Sequence, residues 1–175
     1  MRTKTIEKVF DILSKNYSNA QTELQYTNQY TFLISVVLSA QATDISVNKV
    51  TKKLFTIVKN PQDMIKLGEI NLKKHIKTIG LYNAKAKNII NLSKILINRY
   101  NSKIPSNFKA LTSLPGVGNK TASVYQNEIL KIPRIAVDTH VFRLANRIGL
   151  TKTATADLTQ SKLEKIVPIK WLMKA

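Results

Sequence analysis

Lys120 and Asp138 are the two residues whose types and setting could carry out covalent chemistry on a carbon electrophile. A lysine attacks such a carbon only when neutral, and its unperturbed pKa is about 10.4, so a nucleophilic lysine needs a site that disfavours the ammonium form. Lys120 follows Leu114-Pro115-Gly116-Val117-Gly118 by two residues. Proline fixes its own φ and the two glycines can take positive φ without steric cost, so the chain should reverse there. Asn107 to Ser113 and Asn119 to Leu130 contain neither glycine nor proline, which predicts helix, tight hairpin, helix over about 107–130. Lys120 then falls in the first turn of the second helix, where the positive end of the helix dipole and partial burial both oppose a further positive charge. The same bend presents the backbone N–H groups of Gly116, Val117 and Gly118 at a helix start, a pocket for a phosphate oxygen. Asp138 follows the apolar Ile135-Ala136-Val137 and precedes Thr139-His140-Val141-Phe142, so it is expected at a helix N-cap, a carboxylate that could accept the proton the lysine must lose. Each residue also has an ordinary alternative: a glycine turn between helices, a solvated lysine, a capping aspartate. Composition does not choose between them.

The elements that must position these groups read as helix after helix. Apolar residues recur at three- and four-residue spacing in Ile6 to Leu13, Ile45 to Phe55, Ile89 to Ile97 and Val141 to Ile148, with no convincing strand alternation. The fold class is therefore all-α, and 175 residues with 43% hydrophobic content suffice for one or two small domains with a buried core. Lysine and arginine outnumber acids 28 to 10, giving a formal charge of +18. Such a balance favours a polyanionic partner, nucleic acid above all, although a lysine-, isoleucine- and asparagine-rich composition alone can produce it. Met1 to Lys15 mixes acids with lysines and lacks the apolar core of a secretory signal, and Tyr30 to Ala40 is too short to span a membrane, so the cytoplasm beside the chromosome and a monomeric state are expected.

Two further turns stand out. Gln41-Ala42-Thr43-Asp44 closes the apolar run Tyr30 to Ala40 with a polar loop and offers Thr43 or Asp44 as the cap of a helix running to about Lys59. By itself Gln41 reads as a surface glutamine. Gly80-Leu81-Tyr82-Asn83 separates a helix ending near Thr78 from one reaching about Tyr100; Gly80 can end the first, Asn83 can cap the second, and Lys85 and Lys87 make a solvated basic turn. His75 and His140 are the only histidines and there is no cysteine, so no metal site is expected from them.

LPGVGNKTA and AVDTHVFRLANRIGL together resemble the helix-hairpin-helix signature of the endonuclease III family of base-excision DNA glycosylases, with its lysine and aspartate in register. FLISVVLSAQATDISVNKV and IKTIGLYNAKAKNI resemble the same family, in the same order, so the likeness covers the chain from about Thr22 to Leu150. The resemblance implies a glycosylase with abasic-site lyase activity on oxidised pyrimidines in double-stranded DNA, using no metal or diffusible cofactor. It implies Lys120 as the nucleophile that displaces the base and forms a Schiff base, and Asp138 as the carboxylate that assists it. Gly116, Val117 and Gly118 would hold a phosphate, Gln41 would fill the gap left by the flipped nucleotide, Leu81 would be a second wedge opposite the lesion, Asp44 would border the base pocket, and His140 would touch DNA near Asp138. It further implies two lobes, a helical barrel over residues 22–132 and a second lobe from 1–21 plus 133–175, with lysine and aspartate on opposite walls of a cleft.

The chain departs from the family at its end. Typical members continue past Trp171-Leu172-Met173 into a four-cysteine segment that holds a 4Fe–4S cluster, whereas this sequence stops at Ala175 without a cysteine and cannot bind a cluster through thiolates. It reads as a truncated member, with apolar surface expected to be exposed in the second lobe and Asp138 less firmly held relative to Lys120. Tyr125-Gln126, where relatives carry smaller or more apolar residues, is expected to weaken packing of the lysine-bearing helix. Two alternatives follow: an inactive remnant that binds DNA, or a monofunctional mismatch adenine glycosylase, against which Lys120 argues.

Overall fold

A computed structural model describes residues 3–17 and 21–172, and every regular element among them is a helix. The chain divides into two compact units, one of residues 23–125 and one of residues 1–22 plus 126–175. The second crossing falls inside a helix, so residues 126–132 belong with the C-terminal segment.

The unit of residues 23–125 is built on α2 (Gln29–Ser39), α3 (Asp44–Ile57), α4 (Pro61–Ile76), α5 (Tyr82–Tyr100), α6 (Phe108–Thr112) and most of α7 (Asn119–Glu128), following α1 (Thr3–Asn16) in chain order. Every residue of α2 from Tyr30 to Leu38 is buried, as its all-round apolar sequence requires. Its start is set by Asn28, whose side chain accepts from Thr31 N while the Thr31 hydroxyl accepts from Asn28 N. Inside, Tyr30 Oη meets Ser93 Oγ at 2.7 Å, and burial pushes the Tyr30 phenol well above its ordinary pKa. The α4 helix is interrupted at Gly68, whose φ of 77° breaks the helical course.

Three sequence expectations need correction here. The helix before the second turn ends at Ile76 with Lys77 as its C-cap, ahead of Gly80. The next helix is capped by Leu81 in the left-handed conformation with no side-chain cap, and Asn83 lies within the helix. Tyr125 and Gln126 do not loosen α7. Tyr125 is fully buried, packs against Phe32 and donates from Oη to Gln29 Oε1 at 3.4 Å, while Gln126 Oε1 accepts from Arg134 Nε at 3.0 Å. Both large side chains find partners.

The other unit packs α1 with α8 (Thr139–Arg147), α9 (Ala156–Ile166) and α10 (Ile169–Leu172). Ile6, Ile135, Val137, Ala145, Leu150, Leu163, Val167 and Leu172 form its core, with Phe10 stacked on Trp171. Polar groups finish it. Arg134 pairs with Glu164 at 3.0 Å, and Asn127 Nδ2 donates to the carbonyls of Arg134 and Leu172. An apolar groove of about 320 Å³ opens on this unit, lined by Phe10, Leu13, Val141, Leu144, Ile148 and Trp171. Leu144 is 54% exposed there, the apolar exposure expected of this lobe.

Candidate functional site

The hairpin forms as the glycines predict, but they serve different ends. Ser113 ends α6, Leu114 N donates to Leu111 O, and Val117 N donates to Leu114 O at 3.0 Å, which closes the turn. Gly116 has φ of 79°, and a Cβ on it would lie 3.2 Å from both Asn88 Cβ and Val37 Cγ1. Conformation and packing both demand glycine at that position. Gly118 has no positive φ, and a Cβ built on it would meet nothing within 4 Å. Neither backbone conformation nor packing requires glycine there. Val117 is buried and its N–H is already used in the turn. The N–H groups at the start of α7, like those of any helix start, have no intrahelical acceptor and face an anion-attracting dipole.

Lys120 is the second residue of α7 and is exposed, so the partial burial expected of a nucleophilic lysine is not supplied by the protein itself. Asp138 is the N-cap of α8, as its position predicts: Oδ1 accepts from His140 N and Val141 N, each at 3.0 Å. Those two bonds fix the carboxylate's orientation on the helix start. His140 presents an exposed side chain next to it.

Gln41 and Leu81 are brought together within the unit that carries the hairpin. Both are exposed, both are left-handed, with φ of 56° and 59°, and a Cβ on Gly80 would sit 3.6 Å from the Gln41 carbonyl oxygen. Such a backbone costs roughly 1–3 kcal/mol per residue for a non-glycine and persists where the surroundings impose it. A leucine 62% exposed at a strained tip is not explained by packing. Asp44 begins α3 behind Thr43, whose hydroxyl caps it by accepting from Ser46 N.

Sequence reasoning missed Lys85. It is not part of a solvated basic turn: it is 6% exposed, and its Nζ donates to Leu38 O at 2.9 Å and Ala40 O at 2.6 Å. Its acceptors lie more than forty residues earlier in the chain, at |i−j| of 47 and 45, beyond the reach of local pattern.

Residues 34–169 match the HhH-GPD superfamily of base excision DNA repair proteins. Endonuclease III of Rickettsia conorii is 54% identical over the whole of this chain, which covers 83% of that protein. The chain belongs to the endonuclease III family. Two solved structures extend the likeness to three dimensions: a non-covalent endonuclease III–DNA complex, with a TM-score of 0.93, and a trapped endonuclease III–DNA covalent intermediate, with a TM-score of 0.94. Each is 39% identical, and the match covers 99% of this chain and 82% of the other. The 175 residues hold no cysteine. Among the described residues no cluster of three or more His, Asp or Glu offers a substitute donor set, and no helix is long and apolar enough to cross a membrane.

Proposed function

We propose that the chain removes oxidised pyrimidines from duplex DNA and cuts the strand at the resulting abasic site by β-elimination. Lys120 attacks C1′ of the damaged nucleotide and expels the base, and the sugar ring opens to a Schiff base. Loss of a C2′ proton then forms the C2′–C3′ double bond and expels the 3′ phosphate, and water releases the amine. Asp138, as a carboxylate, assists loss of the lysine proton and offsets the positive charge that develops on the sugar. The amides around Gly116 and Gly118 hold a phosphate beside the lesion, Gln41 and Leu81 fill the duplex where the nucleotide leaves it, Asp44 borders the base pocket, and His140 contacts the strand. An amine and a carboxylate complete these steps without metal or diffusible cofactor. A chromosomal substrate places the chain beside the nucleoid.

The observation that carries this reading is the pairing of Lys120 with Gly118, a glycine that neither backbone conformation nor packing requires. A glycosylase that uses water as nucleophile needs no amine at that position. A DNA-binding remnant without turnover draws on one observation, the apolar groove of the unit that carries Asp138. One assay separates the three. A duplex with a single thymine glycol should yield a nicked strand ending in an unsaturated aldehyde. A second duplex with a mispaired adenine, converted to an abasic site on an intact strand, would point to the monofunctional mismatch adenine reading, and both duplexes bound but unaltered to the remnant.

A further inference from the structure

Lys85 stands in the first turn of α5, yet its side chain runs inward to the end of α2. The carbonyls of Leu38 and Ala40 that receive its ammonium belong to the last turn of α2, where no intrahelical N–H can reach them. A cation there also meets the negative end of the helix dipole. Burial pulls the Lys85 ammonium below the ordinary lysine pKa, so the location disfavours the charge it holds. A single cap does not require a buried lysine, since most helices end on glycine or on water.

What distinguishes this lysine is that it grips two turns at once. Its backbone N–H donates to Leu81 O at 3.0 Å, which ties it to one strained tip. Its ammonium holds Ala40 O, the carbonyl immediately before Gln41, which ties it to the other. The two tips are close, since a Cβ on Gly80, next to Leu81, would lie 3.6 Å from the Gln41 carbonyl oxygen. Left-handed backbone at a glutamine and a leucine would relax unless something over-determined it. The Lys85 side chain thus joins the helix start that follows Leu81 to the turn that carries Gln41.

We propose that Lys85 is a positioning residue that locks the Gln41 and Leu81 turns into a single preset wedge, so that duplex opening at a lesion depends on a side chain that never meets DNA. This rests on the reading of Gln41 and Leu81 as the residues that enter the duplex. Removal of the ammonium would keep the backbone bond to Leu81 O but release the Gln41 turn from the start of α5, and the wedge would have to be ordered at the moment of binding.

The test uses the full chain as parent, Lys85→Met, Gln41→Ala and the double variant. Two duplexes differ only in whether a thymine glycol is paired with adenine or lies in an unpaired bubble, and a 2-aminopurine beside the lesion reports unstacking on binding. Lys85→Met should lose the fluorescence rise and roughly 100-fold in kcat/KM on the paired lesion, as small misplacements do, and stay within about 3-fold on the bubble. The double variant should be no worse than the poorer single variant on the paired lesion, because both act through one wedge. Equal losses on the two duplexes, additive losses, or collapse of the helical circular dichroism of Lys85→Met would each overturn the lock in favour of a role in the fold. Gln41→Ala separates the two levels. If it discriminates paired from unpaired lesions and Lys85→Met does not, the lock is wrong and the wedge stands; if Gln41→Ala does not discriminate, the wedge reading fails and the lock with it.

Discussion

The two units solve the same packing problem differently. The largest fully buried side chains, among them Phe32, Leu33, Leu54, Met64 and Tyr125, all lie in the unit of residues 23–125. That unit carries the hairpin, Lys120 and both strained tips, on a closed apolar body that holds backbone in unfavourable conformations. The unit with Asp138 has a smaller core, an open apolar groove and a polar frame in which Arg134, Glu164, Gln126 and Asn127 supply hydrogen bonds that apolar contact does not. Lys120 and Asp138 thus rest on supports of different kind: one secured by packing, the other by a cap and a polar network.

Stability measurements should expose that contrast. Leu33→Ala, at a position with no exposure, should lower the unfolding free energy by about 2–5 kcal/mol in urea titration, whereas Leu144→Ala at the groove should change it by no more than about 0.5 kcal/mol. Similar losses from both would mean that the groove is a closed core in solution. Arg134→Met should cost about 1–3 kcal/mol, because it removes the ion pair with Glu164 and the bond to the buried Gln126 side chain. A neutral result would remove the polar network as the frame of the Asp138 unit.

Within the hairpin the two glycines sharpen the comparison. Gly116→Ala should destabilise the protein by roughly 1–3 kcal/mol, from positive φ and the contacts with Asn88 and Val37. Gly118→Ala should leave stability within about 0.5 kcal/mol. Its cost should appear as about tenfold weaker binding to an abasic duplex, because the added Cβ would hold a phosphate away from the backbone amides at the helix start. Unchanged binding would leave Gly118 without a role.

The smallest effect concerns the surface of α4. The Lys73 ammonium bonded to Glu69 at 2.7 Å holds that carboxyl below its ordinary pKa. A carboxyl lowered on folding contributes stability above its unfolded pKa and loses it as pH falls through the folded value. Glu69→Gln should therefore slightly flatten the acid limb of urea midpoint against pH, and leave the neutral region almost unmoved because the pair is exposed.

What the sequence disclosed and what it hid follow from range. Helices, the hairpin and the caps at Thr43 and Asp138 are local: a side chain bonds to an amide two or three residues on, and residue order is enough to place it. Leu81 as a left-handed cap is not local, since the preference of leucine argues against it and only the contact of its turn with Gln41 makes it tenable. Tyr125 looked too large because its partners, Phe32 and Gln29, lie nearly a hundred residues earlier. Lys85 looked like one more solvated cation, and only the fold brings the carbonyls of α2 to it. The difference between Gly116 and Gly118 was equally hidden, because two identical letters differ only in what surrounds them.

The central claim is that the amine of Lys120 becomes covalently joined to the sugar. Incubation of the chain with an abasic duplex and borohydride, followed by proteolysis and mass spectrometry, reads that bond directly. The account predicts a reduced adduct on the peptide containing Lys120, lost in Lys120→Ala. An adduct on another amine, or none while the duplex is bound, would contradict it.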